Sequence, residues 1–349
     1  MKTLAALGFS SNLSSVCVYD EKGCTRVSGT APCMNLPSPP PAESSSSSSA
    51  ACECQNGTRD SRVAVCMTGA LRSFTERPVY SSIAANLLHP LRCADLFAVI
   101  SLLDSGVLTN VKAVNSSWVQ RQERMHTTTE AAHAALAALR PRVVAIWADS
   151  VDRAMSNATC DVRLTPRGFL ADQGTSAALS QAASWAQCHR AIEMVEATRG
   201  VKYTHVIRTR PDLRWEAPHP TVCQLEGARI RHSSWQLLAA GPANDVLGRG
   251  HIDHHFVTSR RMADTLLGLY DAYYEACDVV GCSGSSGASK NILACPPALE
   301  VWMWRACAAS AVHRYACQRW DFKYRLTRAP PLCGQCARFS VNCKCNASL

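Results

Sequence analysis

The stretch from Tyr203 to Trp215 most constrains how this chain folds, because it begins as a strand and cannot continue as one. Its first half alternates β-branched and polar residues, which is typical of a strand. Pro211 lacks the N–H that a central strand donates to its neighbour, so the strand is expected to end near Thr209. Asp212 would then lie at the carboxyl end of that strand, the edge at which ligands bind in open α/β sheets.

Three arginines accompany this acid, and together they predict a site for a divalent metal (Mn or Mg) and a diphosphate. We assign Asp212 to the metal and Arg208 and Arg210 to the diphosphate, because guanidinium groups pair bidentately with phosphate. The alternative is an exposed strand end at which arginine–aspartate pairs only support the structure, and such surface pairs contribute little.

The rest of the chain alternates strand-length apolar runs with helical segments. Strands are predicted at 62–67, 94–101, 143–147, 251–258 and 321–327, and helices at 78–88, 129–139, 176–198 and 299–317. Long crossovers between strands indicate a mostly parallel central sheet with helices on both faces. The sequence therefore predicts a single α/β domain over residues 61–328.

The two ends of the chain differ from this domain. Residues 1–60 are rich in Ser and Pro, which predicts a disordered, stalk-like tail that also carries cysteines. Residues 329–349 form a Cys-rich tail with Cys333-x-x-Cys336 and Cys343-x-Cys345. Four thiols suit zinc, but the one-residue gap in the second pair fits its usual ligand spacing poorly, so disulfides are favoured.

The cysteine content indicates the compartment. Nineteen cysteines together with Asn-x-Ser/Thr sequons at Asn12, Asn56, Asn115, Asn157 and Asn346 favour the secretory pathway. Only a short apolar run follows Met1-Lys2, and no membrane anchor is visible in the sequence. The net charge of +9 is not organised into a nucleic-acid-binding motif, so we expect no nucleic-acid partner.

Two further segments carry candidate functional residues. The turn from Thr68 to Ser73 follows the first predicted strand, where backbone N–H groups face a phosphate in many nucleotide-binding sheets; an ordinary strand-to-helix turn is the alternative. Asp253 could act as a general base, and Asp-x-His with His255 could bind the metal. A buried histidine that is satisfied within the core is the competing interpretation of His255.

Several of these segments together resemble uncharacterised glycosyltransferase-like proteins with the GT-A nucleotide-diphospho-sugar transferase fold. The resemblance covers about residues 62–328, and it is carried by residues 65–74, 94–97, the helix with Gln181, Trp185 and Cys188, residues 203–215 and residues 253–256. It implies that Thr68, Gly69 and Arg72 cradle the nucleotide diphosphate and that Asp212 takes the place of the metal-binding acid.

The sequence departs from that family in one respect, since it contains no Asp-x-Asp motif. Either the arginines do the work of the metal or the protein is an inactive relative. We expect a glycosyltransferase that transfers a sugar from a nucleotide-sugar donor to an acceptor hydroxyl on a glycan or glycoprotein, in the Golgi lumen or after secretion. The alternatives are an inactive, disulfide-stapled nucleotide-sugar or glycan-binding protein and a cytosolic zinc protein.

Overall fold

The fold is seen in a computed structural model, which describes part of the chain. The described residues are 13–20, 23–37, 62–91, 94–101, 129–147, 168–200, 202–227, 237–240, 254–276, 303, 306–307, 317–320 and 322–326. Asp253 and the four cysteines of the C-terminal tail lie outside these ranges.

Strands and helices alternate along the described chain, as the sequence predicts. The strands are β1 (Leu13–Asp20), β2 (Gly23–Gly29), β3 (Val63–Ala70), β4 (Ala94–Ser101), β5 (Val143–Trp147), β6 (His205–Thr209), β7 (Leu213–Trp215), β8 (Leu237–Ala240), β9 (His255–Ser259), β10 (Cys317–Trp320) and β11 (Tyr324–Leu326). The α-helices are α1 (Arg77–Ser82), α2 (Thr129–Leu139), α3 (Gly168–Arg199), α4 (Val222–Gly227), α5 (Arg260–Leu267) and α6 (Leu269–Ala276). A 3₁₀ helix (Arg72–Thr75) precedes α1, and a π-helix (Ile83–Leu88) follows it.

One sheet organises the fold. Its strand order is β10-β8-β9-β6-β3-β4-β5-β1-β2, and β7 and β11 form a separate two-stranded sheet. The four central strands, β6, β3, β4 and β5, are parallel. Strand β9 pairs antiparallel with β6, and β1 pairs antiparallel with both β5 and β2. The prediction of an α/β fold is confirmed, but the sheet is mixed: the four central strands and the edge pair β10–β8 are parallel, and the other pairings are antiparallel.

Alternate residues of the central strands enter two separate cores. In β3, Ala64 and Cys66 belong to the core beneath α3, whereas Val65 and Met67 belong to the core shared with α1 and α2. Helix α3 packs directly on β3 and β4. Burying a Val or Met side chain contributes about 1.5–3 kcal/mol, so both faces of this strand help to hold the sheet together. Helices cover both faces, as the sequence predicts.

The N-terminal segment departs from the predicted tail. Strands β1 and β2 form one edge of the large sheet, and Val16 and Cys17 are buried in the two cores. A disulfide joins Cys17 to Cys33, and the Tyr19 hydroxyl donates to the Met34 carbonyl at 3.0 Å. Disorder over residues 1–60 is therefore wrong for residues 13–20 and 23–37. The Ser-rich run at 44–49 lies outside the described ranges.

Candidate functional site

Strand β6 ends where the sequence predicts, and the turn that follows it forms the site. The strand stops at Thr209, and Pro211 and Asp212 form a turn before β7 begins at Leu213. The Arg210 N–H donates to the carbonyl of His254 at 3.1 Å, which ties this turn to the residue before β9. The carboxyl end of β6 thus presents Arg210 and Asp212 side by side.

Two guanidinium groups hold the carboxylate of Asp212. Arg210 donates from Nε to Oδ1 at 2.8 Å and from Nη2 to Oδ2 at 2.7 Å. Arg72 donates from Nη1 to Oδ2 at 3.3 Å, so the turn after β3 and the turn after β6 meet at this acid. The Asp212 side chain is 1% exposed, whereas those of Arg72 and Arg210 are 23% and 12% exposed. The acid is buried, and its two cations extend toward solvent.

Burial and charge act in opposite directions on Asp212. Burial raises the pKa of its carboxyl, but the charges and hydrogen bonds of Arg210, then of Arg72 and His254, outweigh it and leave the pKa below its ordinary value. Asp212 is therefore ionised at neutral pH. One negative and two positive charges leave the group with a net positive charge at the edge of the sheet.

The turn that carries Arg72 has an unusual backbone. Gly69 has φ +136°, a conformation that residues with a side chain rarely adopt, and a Cβ there would lie 3.4 Å from Pro211 Cδ. Arg72 itself has φ +41°, in the left-handed region that is unfavourable for a side-chain-bearing residue. Sparsely populated conformations of this kind cost about 1–3 kcal/mol and occur disproportionately at functional sites.

Thr68 and Arg208 lie in the interior and not around Asp212. Arg208 donates from Nε to Thr68 Oγ1 at 3.1 Å, and its Cζ lies 4.9 Å from the ring centroid of Trp185 on α3. Thr68 is 0% exposed and Arg208 is 1% exposed. Thr68 and Arg208 are therefore too deeply buried to contact a diphosphate directly, and they can only support the residues that do. Arg72 and Arg210 remain partly exposed.

His255 also lies in the interior. It is 0% exposed, and its ring centroid lies 4.9 Å from that of Trp215 and 4.4 Å from that of Phe322. Its Nε2 lies 3.2 Å from Nε2 of His219. Burial, and then the neighbouring His219 and Arg208, hold the pKa of His255 well below its ordinary value, so the imidazole is neutral.

The side chains predicted to bind a divalent metal do not fit one. Both oxygens of Asp212 accept hydrogen bonds from arginines, and a cation placed there would be repelled by two guanidinium groups. In the part of the chain that the structure describes, the groups of three or more possible ligands are Cys17, Cys24 and Cys33, and His189, Glu193 and Asp264. Neither group contains Asp212 or His255.

Ser82, Asn86 and His219 lie near this site and were not predicted from the sequence. The Trp215 N–H donates to Ser82 Oγ at 2.9 Å, and Asn86 Nδ2 donates to the Trp215 carbonyl at 3.0 Å. The Asn86 carbonyl accepts from the His219 N–H at 2.6 Å. Asn86 belongs to the π-helix, and such helices are frequent at functional sites. No local pattern identifies these contacts, because each joins segments more than 100 residues apart.

The disulfides agree with the predicted oxidising compartment. Cys66 on β3 is bonded to Cys188 on α3, and Cys17 is bonded to Cys33. Among the described residues, no helix has both the length and the apolar character needed to cross a membrane.

Comparison with known proteins leaves the geometry as the basis for function. No protein-family model matches the chain, and a search of curated proteins finds no significant match.

Proposed function

We propose that this protein is a glycosyltransferase that moves a sugar from a nucleotide-sugar donor to an acceptor hydroxyl. In this proposal, Arg72 and Arg210 bind the diphosphate of the donor, and Asp212 orients them. Thr68, Gly69 and Arg208 support the turn and the strand that carry the two arginines. The sheet would be of the GT-A type, as the resemblance of residues 62–328 implies.

The observation that carries the proposal is the pair of partly exposed guanidinium groups on one buried carboxylate. Their carboxylate fixes two donors that would otherwise move independently, and the group keeps a net positive charge. It lies at the carboxyl ends of β3 and β6, which pair in parallel, and this is the edge at which open α/β sheets bind ligands. A diphosphate suits it because guanidinium donors match phosphate oxygens in charge and geometry.

Sugar transfer from such a donor requires stabilisation of the departing diphosphate. Prearranged cations perform this role when they lie where negative charge develops, and arginines can do so without a metal ion. Because Asp212 is occupied by Arg72 and Arg210, we propose that these arginines take the place of the metal. Asp253 remains our proposed general base for the acceptor hydroxyl, although it lies outside the described residues.

Two disulfides support the proposed compartment. Disulfides persist in oxidising environments, and two of them staple the sheet to its neighbouring segments. We therefore place the activity in the secretory pathway, in the Golgi lumen or after secretion, with a glycan or glycoprotein as the acceptor.

A second candidate function is nucleotide-sugar or glycan binding without transfer. The pairing of Asp212 with two arginines favours it, because their charges repel the divalent metal that assists sugar transfer in many enzymes of this kind. A binding protein would retain the affinity for the nucleotide diphosphate but would neither hydrolyse nor transfer the donor sugar.

The test is a panel of nucleoside diphosphates and nucleotide sugars, measured by calorimetry and by release of the nucleoside diphosphate. We expect one nucleotide to bind, and Arg72→Lys and Arg210→Lys to weaken that binding. Arg142→Lys is the matched control, because Arg142 also pairs with an aspartate but at the opposite edge of the sheet. Binding without donor turnover would select the second candidate, and absence of binding across the panel would refute both the transferase and a nucleotide-sugar-binding protein.

A further inference from the structure

Trp215, His219 and His255 belong to a buried aromatic cluster behind the turn that carries Arg210 and Asp212. The ring of His219 stacks on that of Phe322, with centroids 5.1 Å apart and planes 13° apart. Its ring centroid lies 5.1 Å from that of His255 and 5.4 Å from that of Trp215. Trp215, His219 and His255 are each at most 2% exposed.

The hydrogen bonds of His219 determine which nitrogens carry protons. Its Nδ1 lies 2.6 Å from the carbonyl oxygen of Pro220, which can only accept, so Nδ1 carries a proton and donates. In neutral His219, Nε2 is then an acceptor, and His255 must donate to it from Nε2 at 3.2 Å. His255 therefore has no proton on Nδ1, which becomes an acceptor. Burial lowers the pKa of His219 to about 4, consistent with the neutral form.

Three buried polar atoms, one on His255 and two on its neighbours, have no hydrogen-bond partner among the described residues. They are His255 Nδ1, Trp215 Nε1 and Thr209 Oγ1. Thr209 is the cross-strand partner of His255 between β6 and β9, so their side chains lie on the same face of the sheet. The indole of Trp215 contacts the His255 ring edge to face, at 4.9 Å between centroids.

The chemistry of these three atoms is complementary. Trp215 Nε1 can only donate, His255 Nδ1 can only accept in the tautomer set by His219, and the Thr209 hydroxyl can do both. A water molecule can accept one hydrogen bond and donate another, and buried waters characteristically join polar groups that would otherwise be unsatisfied. We propose that Thr209, Trp215 and His255 form a closed binding site for one structural water molecule, and that His219 positions His255 to bind it.

This site would brace the turn that carries the guanidinium pair. Thr209 precedes the turn and Trp215 follows it, so one water would join both ends of the segment that presents Arg210 and Asp212. Ser82 at the end of α1 and Asn86 on the π-helix hold the backbone of Trp215. The water would support this turn whether or not the protein transfers a sugar.

A high-resolution crystal structure of the intact chain tests the water directly. We expect one ordered water within hydrogen-bond distance of Thr209 Oγ1, Trp215 Nε1 and His255 Nδ1. Thr209→Val should remove it, whereas Thr258→Val should leave it in place, because Thr258 lies on the opposite face of β9. A direct bond between Thr209 and His255, with no water, would overturn the proposal.

Nitrogen-15 NMR of the histidine rings tests the role of His219 separately. In the wild type, the shift of His255 Nδ1 should be that of an unprotonated imidazole nitrogen, and Nε2 that of a protonated one. His219→Phe keeps the stacking on Phe322 but removes the acceptor, and it should shift His255 toward the other tautomer. A protonated Nδ1 in the wild type, or an unchanged tautomer in a folded His219→Phe variant, would contradict the inference.

Discussion

The parallel strands have the same ionic arrangement at both of their ends. We call the end at which they stop the carboxyl edge and the end at which they begin the amino edge. At the carboxyl edge, Asp212 accepts from Arg72 and Arg210. At the amino edge, Asp95 accepts from Arg142 at 2.9 Å and from Arg199 at 2.7 Å. Each edge thus has one carboxylate and two guanidinium groups, and the charges alone do not show which edge is functional.

The surroundings of the two acids differ. Asp95 also accepts from the Tyr203 hydroxyl at 2.6 Å, and Arg142 and Arg199 extend from the start of β5 and the end of α3, so this group joins three segments of the core. Burial and the neighbouring Asp95 raise the pKa of Tyr203, which keeps its hydroxyl protonated as a donor. At the amino edge, the ion pairs connect elements that already pack against one another.

At the carboxyl edge, the ion pairs connect two turns, and the backbone of the first turn is unusual. Gly69 and Arg72 have positive φ angles of 136° and 41°, and the chain reverses at Pro211. Such conformations are kept only where the surrounding structure enforces them, and they frequently mark functional sites. Positive φ angles alone do not distinguish the two edges, because Arg140 and Gly200, next to the amino-edge group, have φ +49° and +67°. The carboxyl edge differs in that its charged groups lie on turns that follow parallel strands, where open α/β sheets bind ligands.

The largest expected difference between the edges follows removal of each carboxylate. Asp212→Asn leaves two cations without their buried counterion, and breaking a buried pair in this way costs about 3–5 kcal/mol of unfolding free energy. Asp95→Asn should cost about 1–2 kcal/mol, because Asp95 is 16% exposed and its pairs are partly screened. Chemical denaturation of both variants measures the difference. Equal losses would mean that the two edges have the same structural role.

A pH series compares a partly buried histidine beside the amino edge with a buried one near the carboxyl edge, where the buried His255 also stays neutral. Burial lowers the pKa of His205, beside the amino edge, and of His219, near the carboxyl edge, to about 4. The unfolded chain therefore binds more protons than the folded one between about pH 6.5 and pH 4, and stability should fall as pH falls through that range. Each histidine should account for about 3 kcal/mol of this loss.

His205→Gln and His219→Phe identify the two contributions in urea unfolding curves. Each variant should flatten the pH dependence of the unfolding free energy between pH 6.5 and pH 4. A variant whose slope equals that of the wild type would show that its histidine is not held neutral in the folded protein.

Conservative replacement of one arginine at each edge tests ligand binding. Arg210→Lys removes the two-pronged contact that a guanidinium makes, and we expect nucleoside diphosphate affinity to fall about 10- to 100-fold. Arg142→Lys should leave that affinity unchanged while lowering stability slightly. Titration calorimetry provides both values, and equal loss of affinity in the two variants would remove the distinction between the edges.

Two glycines with positive φ provide a smaller test of backbone strain. Gly200 ends α3 with φ +67°, in the left-handed helical region, so Gly200→Ala should cost about 1 kcal/mol of unfolding free energy. Gly69 has φ +136°, which is less accessible to alanine, so Gly69→Ala should cost about 1–3 kcal/mol and also weaken nucleotide binding. Denaturation and calorimetry on the two variants check this. Unchanged nucleotide affinity in Gly69→Ala would show that the backbone of the turn after β3 does not contribute to nucleotide binding.

The smallest expected effect is that of metal removal. Since the oxygens of Asp212 are held by arginines, addition of a chelator should change nucleotide affinity by less than about twofold. Calorimetry with manganese or EDTA makes the comparison. Binding that depends strongly on manganese would restore Asp212 as a metal ligand and require Arg72 and Arg210 to move away from it.

The sequence predicted local features better than distant ones. The observed bounds of β4, α2 and β5 are those predicted, because their apolar runs are continuous and end at clear boundaries. The N-terminal strands were missed, since β1 is stabilised by pairing with β5, more than 100 residues away. Alternation within β9 predicted a strand but did not reveal its antiparallel direction.

The candidate site was predictable only where local sequence determines it. Pro211 alone fixes the end of β6 and therefore the position of Arg210 and Asp212. The burial of Arg208 follows from strand alternation, which points it to the face covered by α3, but its packing on Trp185 depends on tertiary structure. His219 follows no periodic pattern, and only its distance to His255 reveals its role.

A crystal structure of the intact chain with a bound nucleoside diphosphate tests the central claim most directly. The account predicts phosphate oxygens within about 2.7–3.2 Å of guanidinium nitrogens of both Arg72 and Arg210, with Asp212 still bonded to them. A diphosphate bound at Arg142 and Arg199, or one that contacts neither Arg72 nor Arg210, would contradict it.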